Sequence, residues 1–340
     1  MPRLELLIVV TLGWHVVHPS HDLSKLQFYN NTLYVGGRNR LLSFDDDPNT
    51  LSTKQDVNTC PPLTFYITNY NKVLLLDESG QTLITCGTGN GGFCERRLLS
   101  NLSSVVHSSS SGENKDINTL VVSTDRNRPA VALMWDTQLF LMAVTYGENI
   151  PIADVNSSAF AYNALTLQET LFNSNEYIFP LGNSEVQLII NNNVSSLNDY
   201  VVYYKDAFQY QNYTYLLTNQ KTHVGNDTFV SKVARLCNFD PSLKSYVDME
   251  LACQVDGVKY NLVQDATVAK LNGTDYLIAS FAKSNDPEDV VGAGVVCAIA
   301  MLNINLNLTK AYLEFLNGYL FNRVERYLYL NSGGVFVSTV

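Results

Sequence analysis

The chain has 340 residues, of which 46% are hydrophobic, so it is long enough for one large domain or two of ordinary size. Its 22 basic and 32 acidic residues give a net charge of −10 at neutral pH. This balance argues against nucleic acid or an anionic membrane surface as a partner.

The N-terminus has the pattern of a secretory signal peptide. Arg3 supplies a positive charge, and an apolar run follows over residues 6–17. We therefore predict a signal peptide over residues 1–20 and one extracellular domain over residues 21–340. The alternative for the N-terminal segment is a buried first strand. No later stretch holds 18 continuous apolar residues, so the sequence predicts no membrane span within these 340 residues.

Glycosylation sequons and cysteines also favour a secreted protein. Eight Asn-x-Ser/Thr sequons are the candidate glycosylation sites: Asn30, Asn101, Asn156, Asn193, Asn212, Asn226, Asn272 and Asn307. The 6 cysteines include no Cys-x-x-Cys pair, so the zinc-binding spacing is absent. In an oxidising compartment such cysteines favour disulfides.

Strand–turn–strand patterns open the domain. Residues 31–45, NTLYVGGRNRLLSFD, predict two strands around a glycine turn. Residues 72–87 repeat the pattern, with the turn at Glu78-Ser79-Gly80.

A glycine-rich loop then separates Cys86 from Cys94. Its glycines allow the chain to fold back sharply, which favours a disulfide between these two cysteines. The run Gly87-x-Gly89-x-x-Gly92 also matches the dinucleotide-binding fingerprint. That fingerprint requires a helix at this point and an acidic residue about 20 positions further on, at the end of a second strand. Cys94 closes the loop, and residues 108–113 read SSSSGE, so we expect no nucleotide site.

The rest of the chain predicts mostly short strands. They cover residues 129–135, 138–146, 186–190, 200–204, 213–218, 228–236, 245–251, 266–271, 276–281, 295–302 and 335–340. Asn272-Gly273 predicts a tight hairpin turn, and residues 153–172 are ambiguous, with a short helix as one candidate. Strand pairs recur about every 40 to 60 residues with no long helix between them, which favours a β-propeller over a β-sandwich.

A second cysteine-containing block covers residues 230–268. The pattern predicts two strands capped by Cys237 and Cys253, a turn at Asp256-Gly257, and another strand.

Both cysteine blocks resemble the sema domains of plexins, the receptors of semaphorins. The resemblance rests on Cys86-Gly87, Gly92-Phe93-Cys94, Arg97 and Leu99-Ser100-Asn101-Leu102-Ser103, then on Arg235-Leu236-Cys237, Ser245-Tyr246-Val247, Cys253, Tyr260-Asn261-Leu262 and Gly294-Val295-Val296-Cys297-Ala298. Gly91 or Gly92 stands where plexins carry glutamine. Semaphorins carry a tryptophan motif near the second block, and this chain has no tryptophan after Trp135, which favours the receptor branch.

The resemblance implies an all-β fold, a β-propeller of the sema type that is seven-bladed in the family, with about five to six blades in this C-terminally truncated chain. It also implies the disulfides Cys86–Cys94 and Cys253–Cys297. Cys60 and Cys237 are left over, and three readings stay open: they pair with each other, remain free, or reflect a truncated gene model.

The function implied by the resemblance is extracellular recognition of a semaphorin-type protein at the cell surface, with a homodimer through the propeller as a further expectation. Attachment to the plasma membrane would require a segment that is absent from this chain. One alternative is a secreted semaphorin-like ligand or decoy, and a second is a secreted β-propeller enzyme that processes glycans.

No catalytic motif appears in the sequence: there is no Gly-x-Ser-x-Gly, His-Glu-x-x-His or P-loop. Two acidic clusters, residues 45–47 and residues 286–289, are better explained as solvated turns than as calcium sites. We therefore expect no enzyme activity and no catalytic, cofactor-binding or metal-binding residue. The ligand-contact residues are not identified by the sequence.

Overall fold

The structure of the chain is a computed structural model. It describes residues 7–10, 13–16, 24–45, 53–59, 68–89, 92, 94–108, 122–123, 125–134, 139–145, 163–169, 187–190, 201–222, 227–238, 240, 245–288, 290, 294–316, 328–330 and 336–337. The chain divides into two compact units. The first unit comprises Met1–Arg126, Asp136–Phe140 and Gln168–Leu181, and the second comprises Asn127–Trp135, Leu141–Leu167 and Gly182–Val340.

Two short strands, β1 (Leu7–Val10) and β2 (Gly13–Val16), form an antiparallel hairpin near the N-terminus. These residues lie within the predicted signal peptide, which stays a prediction.

The first unit contains two four-stranded antiparallel sheets. Sheet I has the order β3 (Lys25–Tyr29), β4 (Thr32–Gly37), β5 (Arg40–Asp45) and β6 (Thr53–Asn58). Sheet II has the order β7 (Asn71–Asp77), β8 (Thr82–Gly87), β9 (Cys94–Leu98) and β10 (Asn101–Ser108). The two strand–turn–strand patterns predicted for residues 31–45 and 72–87 are therefore confirmed. The first strands of the two sheets, β3 and β7, are neighbours.

The two central strands of sheet I, β4 and β5, are buried on both faces. Alternate residues of a strand point to opposite faces, and here Tyr34 and Val35 are 5% and 0% exposed. Tyr34 joins a core cluster with Leu74 and Leu83 of sheet II, whereas Val35 joins a separate cluster with Phe44. This double burial explains why the strands read as continuous apolar runs instead of alternating with polar residues.

The second unit contains three sheets and a hairpin. Sheet III, whose strands lie mainly in this unit, has the order β11 (Ala130–Met134), β12 (Leu139–Thr145), β13 (Asn163–Glu169), β14 (Gln187–Ile190), β24 (Leu328–Leu330) and β25 (Phe336–Val337). Sheet IV has the order β15 (Val202–Tyr210), β16 (Tyr213–Lys221), β17 (Phe229–Cys237) and β18 (Val247–Leu251). The hairpin of β19 (Cys253–Val255) and β20 (Val258–Tyr260) precedes sheet V, which has the order β21 (Leu262–Leu271), β22 (Thr274–Ala282) and β23 (Gly294–Ala300). The first strands β11, β15 and β21 again lie beside one another.

Two predicted hairpin turns are confirmed by the backbone. Asp256 and Gly257 have φ angles of 50° and 78°, and Asn272 and Gly273 have φ angles of 49° and 82°. Consecutive residues with positive φ form the turn that matches the twist of antiparallel strands, and Asn-Gly and Asp-Gly favour it. These turns fix the registers of β19–β20 and β21–β22.

Two expectations from the sequence differ in part from the structure. The strand predicted over residues 295–302 ends at Ala300, and a helix, α1 (Met301–Leu316), follows immediately. In addition, the described part of residues 153–172 is the strand β13, so the short helix considered there is absent from residues 163–169. Helix α1 buries Met301, Ile304 and Leu308 in a core cluster built from sheets IV and V.

An arginine attaches α1 to sheet IV. Arg235 Nη1 donates to the backbone oxygen of Asn305 at 3.2 Å and to its side-chain oxygen at 3.0 Å. Arg235 Nη2 donates to Thr309 Oγ1 at 3.2 Å, and the Tyr215 hydroxyl donates to Asn305 Oδ1. The guanidinium lies 4.4 Å from the centroid of the Tyr213 ring. These polar contacts specify the position of a helix whose apolar contacts alone are non-directional.

Buried charges inside the sheets are paired across strands. In sheet II, the guanidinium of Arg96 binds the carboxylate of Asp77 and donates through Nε to Thr82 Oγ1 at 2.8 Å. In sheet IV, Lys232 Nζ lies 3.5 Å from Asp248 Oδ1, and these side chains are 6% and 1% exposed. Burial raises the pKa of Asp248 and lowers the pKa of Lys232, because each charge has left water, and the partner's charge offsets part of both effects.

We predict that Lys232→Met destabilises the protein by about 3 to 5 kcal/mol, because it leaves Asp248 buried without its cation. Urea unfolding followed by tryptophan and tyrosine fluorescence measures the free energy of unfolding. Lys259→Met is the matched control: Lys259 pairs with Glu250 across strands, but the two side chains are 52% and 42% exposed. We expect the control to change stability by less than about 1 kcal/mol, and equal effects of the two variants would contradict the prediction.

Candidate functional site

An asparagine fixes the loop before the first strand of sheet II. Asn69 Nδ2 donates to the backbone oxygen of Thr59 at 3.3 Å and to its hydroxyl at 3.2 Å, while Asn69 Oδ1 accepts from the Gly89 N–H at 3.0 Å. Gly87 leaves the space for this side chain, since a Cβ at Gly87 would meet Asn69 Oδ1 at 2.0 Å. The chain entering β7 is thereby tied to the chain leaving β6 and to the β8–β9 connection.

The same arrangement recurs in the second unit, before β21. Asn261 Nδ2 donates to the backbone oxygens of Phe229 at 2.9 Å and Ser284 at 2.7 Å, and Asn261 Oδ1 accepts from the Ser284 N–H at 3.3 Å. Ser284 lies in the β22–β23 connection, as Gly89 lies in the β8–β9 connection. In both units, the loops at this edge of the sheets are held by side-chain hydrogen bonds to backbone groups.

The first strands of sheets II, IV and V each contain one extra residue. In β7 the register shifts between Asn71 and Val73, in β15 between Tyr204 and Asp206, and in β21 between Val263 and Asp265. The extra residues are Lys72, Lys205 and Gln264. A β-bulge of this kind redirects a side chain, and bulges are frequent next to functional sites. Each bulge therefore places a long polar side chain outside the regular alternation of its strand.

In the first unit, the bulge residue Lys72 forms hydrogen bonds within the protein. Its ammonium donates to the backbone oxygens of Asp125 at 2.8 Å and Arg126 at 2.7 Å. Burial lowers the pKa of Lys72 to about 8, although the nearby Asp125 carboxylate acts in the opposite direction. Lys72 is therefore a structural residue that anchors a loop.

In the second unit, three polar side chains meet at the same end of the first strands. Arg128 Nη1 lies 2.7 Å from the Tyr203 hydroxyl oxygen and 3.0 Å from Glu288 Oε1. The Tyr203 hydroxyl donates to Glu288 Oε1 at 2.7 Å. Burial, together with this hydrogen bond to a carboxylate, raises the pKa of Tyr203, so the phenol stays protonated. We call Arg128, Tyr203 and Glu288 the polar loop cluster.

Aromatic and cationic groups surround the polar loop cluster. The Tyr203 ring contacts the Phe229 ring edge-on, with centroids 6.1 Å apart, and the Arg128 guanidinium lies 5.4 Å from the Tyr203 centroid. Lys221 Nζ lies 5.9 Å from the Phe229 centroid. Tyr and Arg are enriched at protein-binding surfaces, where rigid amphipathic side chains lose little conformational entropy. The arrangement is therefore suited to recognition of another molecule.

The four cysteines of the predicted disulfides lie in two bridges. Cys86 is joined to Cys94, with Cα atoms 4.0 Å apart, and connects β8 to β9. Cys253 is joined to Cys297, with Cα atoms 6.1 Å apart, and connects β19 to β23. No helix begins in the described part of the glycine loop, because Cys94 starts a strand. Cys237 is exposed and free, and Cys60 lies outside the described residues.

Five of the eight sequon asparagines lie in the described residues, and all five are exposed: Asn30, Asn101, Asn212, Asn272 and Asn307. Asn30, Asn212 and Asn272 lie in hairpin turns, Asn101 starts β10, and Asn307 lies on α1. Asn156, Asn193 and Asn226 lie outside the described residues. Glycosylation at the eight positions stays a proposal.

Within the described residues, no group of His, Cys, Asp and Glu side chains is arranged to hold a metal ion. No helix in that part of the chain has the length and hydropathy of a membrane span. The sequence did not single out the polar loop cluster. Glu288 appeared only as a member of an acidic run, and Arg128 and Tyr203 carried no motif.

The sequence of the chain is similar to those of plexins. No protein-family model matches the chain. Among curated proteins, plexin-A4 of Mus musculus is 26% identical over 269 residues, which cover 70% of this chain and 14% of that protein. Plexin-A4 of Danio rerio is 24% identical over 326 residues, which cover 81% of this chain and 16% of that protein. The chain thus spans a small part of the length of these relatives.

Solved structures give the same fold. The plexin A4 full extracellular region matches with a TM-score of 0.68 at 19% identity, covering 94% of this chain and 38% of that chain. The extracellular domains of Drosophila semaphorin 1a match with a TM-score of 0.56 at 13% identity, covering 93% and 58%. Drosophila plexin A in complex with semaphorin 1b matches with a TM-score of 0.54 at 13% identity, covering 96% and 58%.

The fold is therefore the β-propeller of sema domains, as the sequence predicted. Within that class, the chain is similar in sequence to plexins over most of its length, at 24% to 26% identity.

The structure predicts the reactivity of the cysteines. Iodoacetamide applied to the folded, unreduced protein should label Cys237, because its thiol is exposed, and should leave the four bridged cysteines unlabelled. Peptide mass mapping reads out the labelled positions. As the control, labelling after reduction in urea should modify all four bridged cysteines. Labelling of Cys86, Cys94, Cys253 or Cys297 without reduction would contradict the structure.

Proposed function

We propose that this chain is the extracellular ligand-binding region of a plexin-like receptor and that it recognises a semaphorin-type protein. The observation that carries the proposal is the sequence similarity to plexins over most of the chain, together with the shared fold. One structurally similar plexin is described in complex with a semaphorin, which supports a partner of this kind. The proposal places the chain outside the cell or at the cell surface.

Recognition, rather than catalysis, suits the chemistry of the described surface. The side chains of Asn69 and Asn261 form hydrogen bonds to the backbone of the connecting loops. Together with the paired buried charges, these bonds make the sheets a rigid support for the loops. In the polar loop cluster, the carboxylate of Glu288 is the most accessible group, the Arg128 side chain is 13% exposed, and Tyr203 is buried behind them. Rigid presentation of such groups keeps the entropy lost on association small.

One alternative is a secreted semaphorin-like ligand or decoy, because a semaphorin structure matches the same fold. The curated relatives named above are plexins, which favours the receptor. The full-length transcript discriminates between them: a membrane span and a cytoplasmic region encoded downstream indicate a receptor.

A homodimer through the propeller is a further part of the proposal, and sedimentation velocity at several concentrations tests it.

We predict saturable binding of the purified domain to at least one semaphorin ectodomain from the same organism, with a Kd of about 1 μM or tighter. Surface plasmon resonance with each semaphorin immobilised measures it. An unrelated secreted β-propeller of similar net charge is the control and should give no saturable signal. Absence of binding to every semaphorin would overturn the receptor proposal and leave the fold unaffected.

A further inference from the structure

Lys205 is the extra residue of the β-bulge in β15. Tyr204 pairs with Thr218, and Asp206 pairs with the next residue of β16, Leu217, so Lys205 has no opposite partner in the ladder. The bulge turns its side chain out of the regular alternation of the strand. The neighbouring Tyr203 belongs to the polar loop cluster, so Lys205 lies beside the candidate recognition surface.

The equivalent bulge residues have acceptors within the protein. The Lys72 ammonium in β7 donates to two backbone oxygens, and Gln264 Nε2 in β21 donates to the backbone oxygen of Leu262 at 3.1 Å. The two other bulge residues with long polar side chains therefore both donate to backbone oxygens.

Lys205 differs from both equivalents. Its side chain is half-buried, and within the described residues its ammonium makes no hydrogen bond and no ion pair within 4.0 Å. Burial lowers the pKa of Lys205, and the charge of Glu288 partly opposes that effect. An ammonium has three donors and no acceptor, so a partly dehydrated ammonium is stabilised when an oxygen acceptor becomes available.

The charges near Lys205 define the ligand that would satisfy it. Glu288 Oε1 already accepts a hydrogen bond from Tyr203 and forms an ion pair with Arg128. Two cations, Arg128 and Lys205, thus face one carboxylate, and the three groups together carry one net positive charge. A second cation would be repelled, whereas a second carboxylate would give the ammonium an acceptor and balance the charge.

We propose that Lys205 is a specificity-determining residue that binds the carboxylate of an aspartate or glutamate side chain on the partner protein. The proposal rests on the proposed function, because a protein partner supplies the carboxylate. Arg128 and Glu288 position the site: they hold the neighbouring charge in place without themselves having to bind the incoming group.

The first test uses a small carboxylate and needs no partner. In protein labelled with 13C-lysine, the Cε resonance of Lys205 is assigned by its absence from both Lys205→Met and Lys205→Arg proteins. Titration with sodium N-acetylglutamate should shift this resonance saturably, and neutral N-acetylglutamine should not. The exposed Lys270 is the internal control and should respond to neither compound.

Two results of the first test would overturn the proposal. One is a Lys205 resonance that N-acetylglutamate leaves unchanged, and the other is an equal response to the acid and to the neutral amide. Either result is independent of whether a semaphorin binds the domain.

The second test measures the effect on partner affinity. Against a semaphorin that binds the unmodified domain, Lys205→Met should weaken binding about tenfold, the loss expected for one charge-assisted contact. Lys270→Met is the matched control and should stay within about twofold. Equal affinities of Lys205→Met and Lys270→Met proteins would overturn the role of Lys205 in recognition. If no semaphorin binds the unmodified domain, the proposed function fails, and the first test alone decides whether Lys205 binds a carboxylate.

Discussion

Burial of both faces of a sheet is the constraint on which much of this structure depends. In sheet I, neighbouring residues such as Tyr34 and Val35 point in opposite directions, and both are removed from solvent. A strand in this environment has no wet face for a charge, so charges that do occur within the sheets must find partners there. The pairs Asp77–Arg96 and Lys232–Asp248 follow from this requirement.

Polar side chains near the strand ends hold the connecting loops in place. Asn69 and Asn261 perform the same task in different units, each bonding to the backbone of the connection between the second and third strands of its sheet. The bulges at Lys72, Lys205 and Gln264 are a second repeated device. The comparison is informative because Lys72 and Gln264 donate to protein oxygens, whereas Lys205 has no such acceptor among the residues that the structure describes. Comparison of the three bulge residues thus identifies Lys205 as the candidate contact residue.

Several elements could be predicted from sequence because their signals are local. Asn272-Gly273 and Asp256-Gly257 adopt the backbone that these residue pairs favour, and the glycine loop between Cys86 and Cys94 leads into a strand. Helix α1 was missed because residues 302–308, LNINLNL, alternate apolar and polar residues with a period of two, which is typical of a strand. Its core contacts, including Ile304 and Leu308, override that local pattern. The polar loop cluster and the bulges could not be predicted, since register shifts and contacts between distant residues such as Arg128 and Glu288 depend on tertiary pairing.

Helix α1 also determines how mechanical load would pass through the second unit. It begins at the residue after β23, it is attached to sheet IV by Arg235, and β23 is crosslinked to β19 through Cys297 and Cys253. Force applied along β23 would therefore reach sheet IV through the helix and its arginine before β23 could be peeled from β22. The covalent crosslink across 44 residues gives a second route for the force, around the hydrogen bonds of the strand. Sheet V would in this way resist unravelling from its last strand, β23.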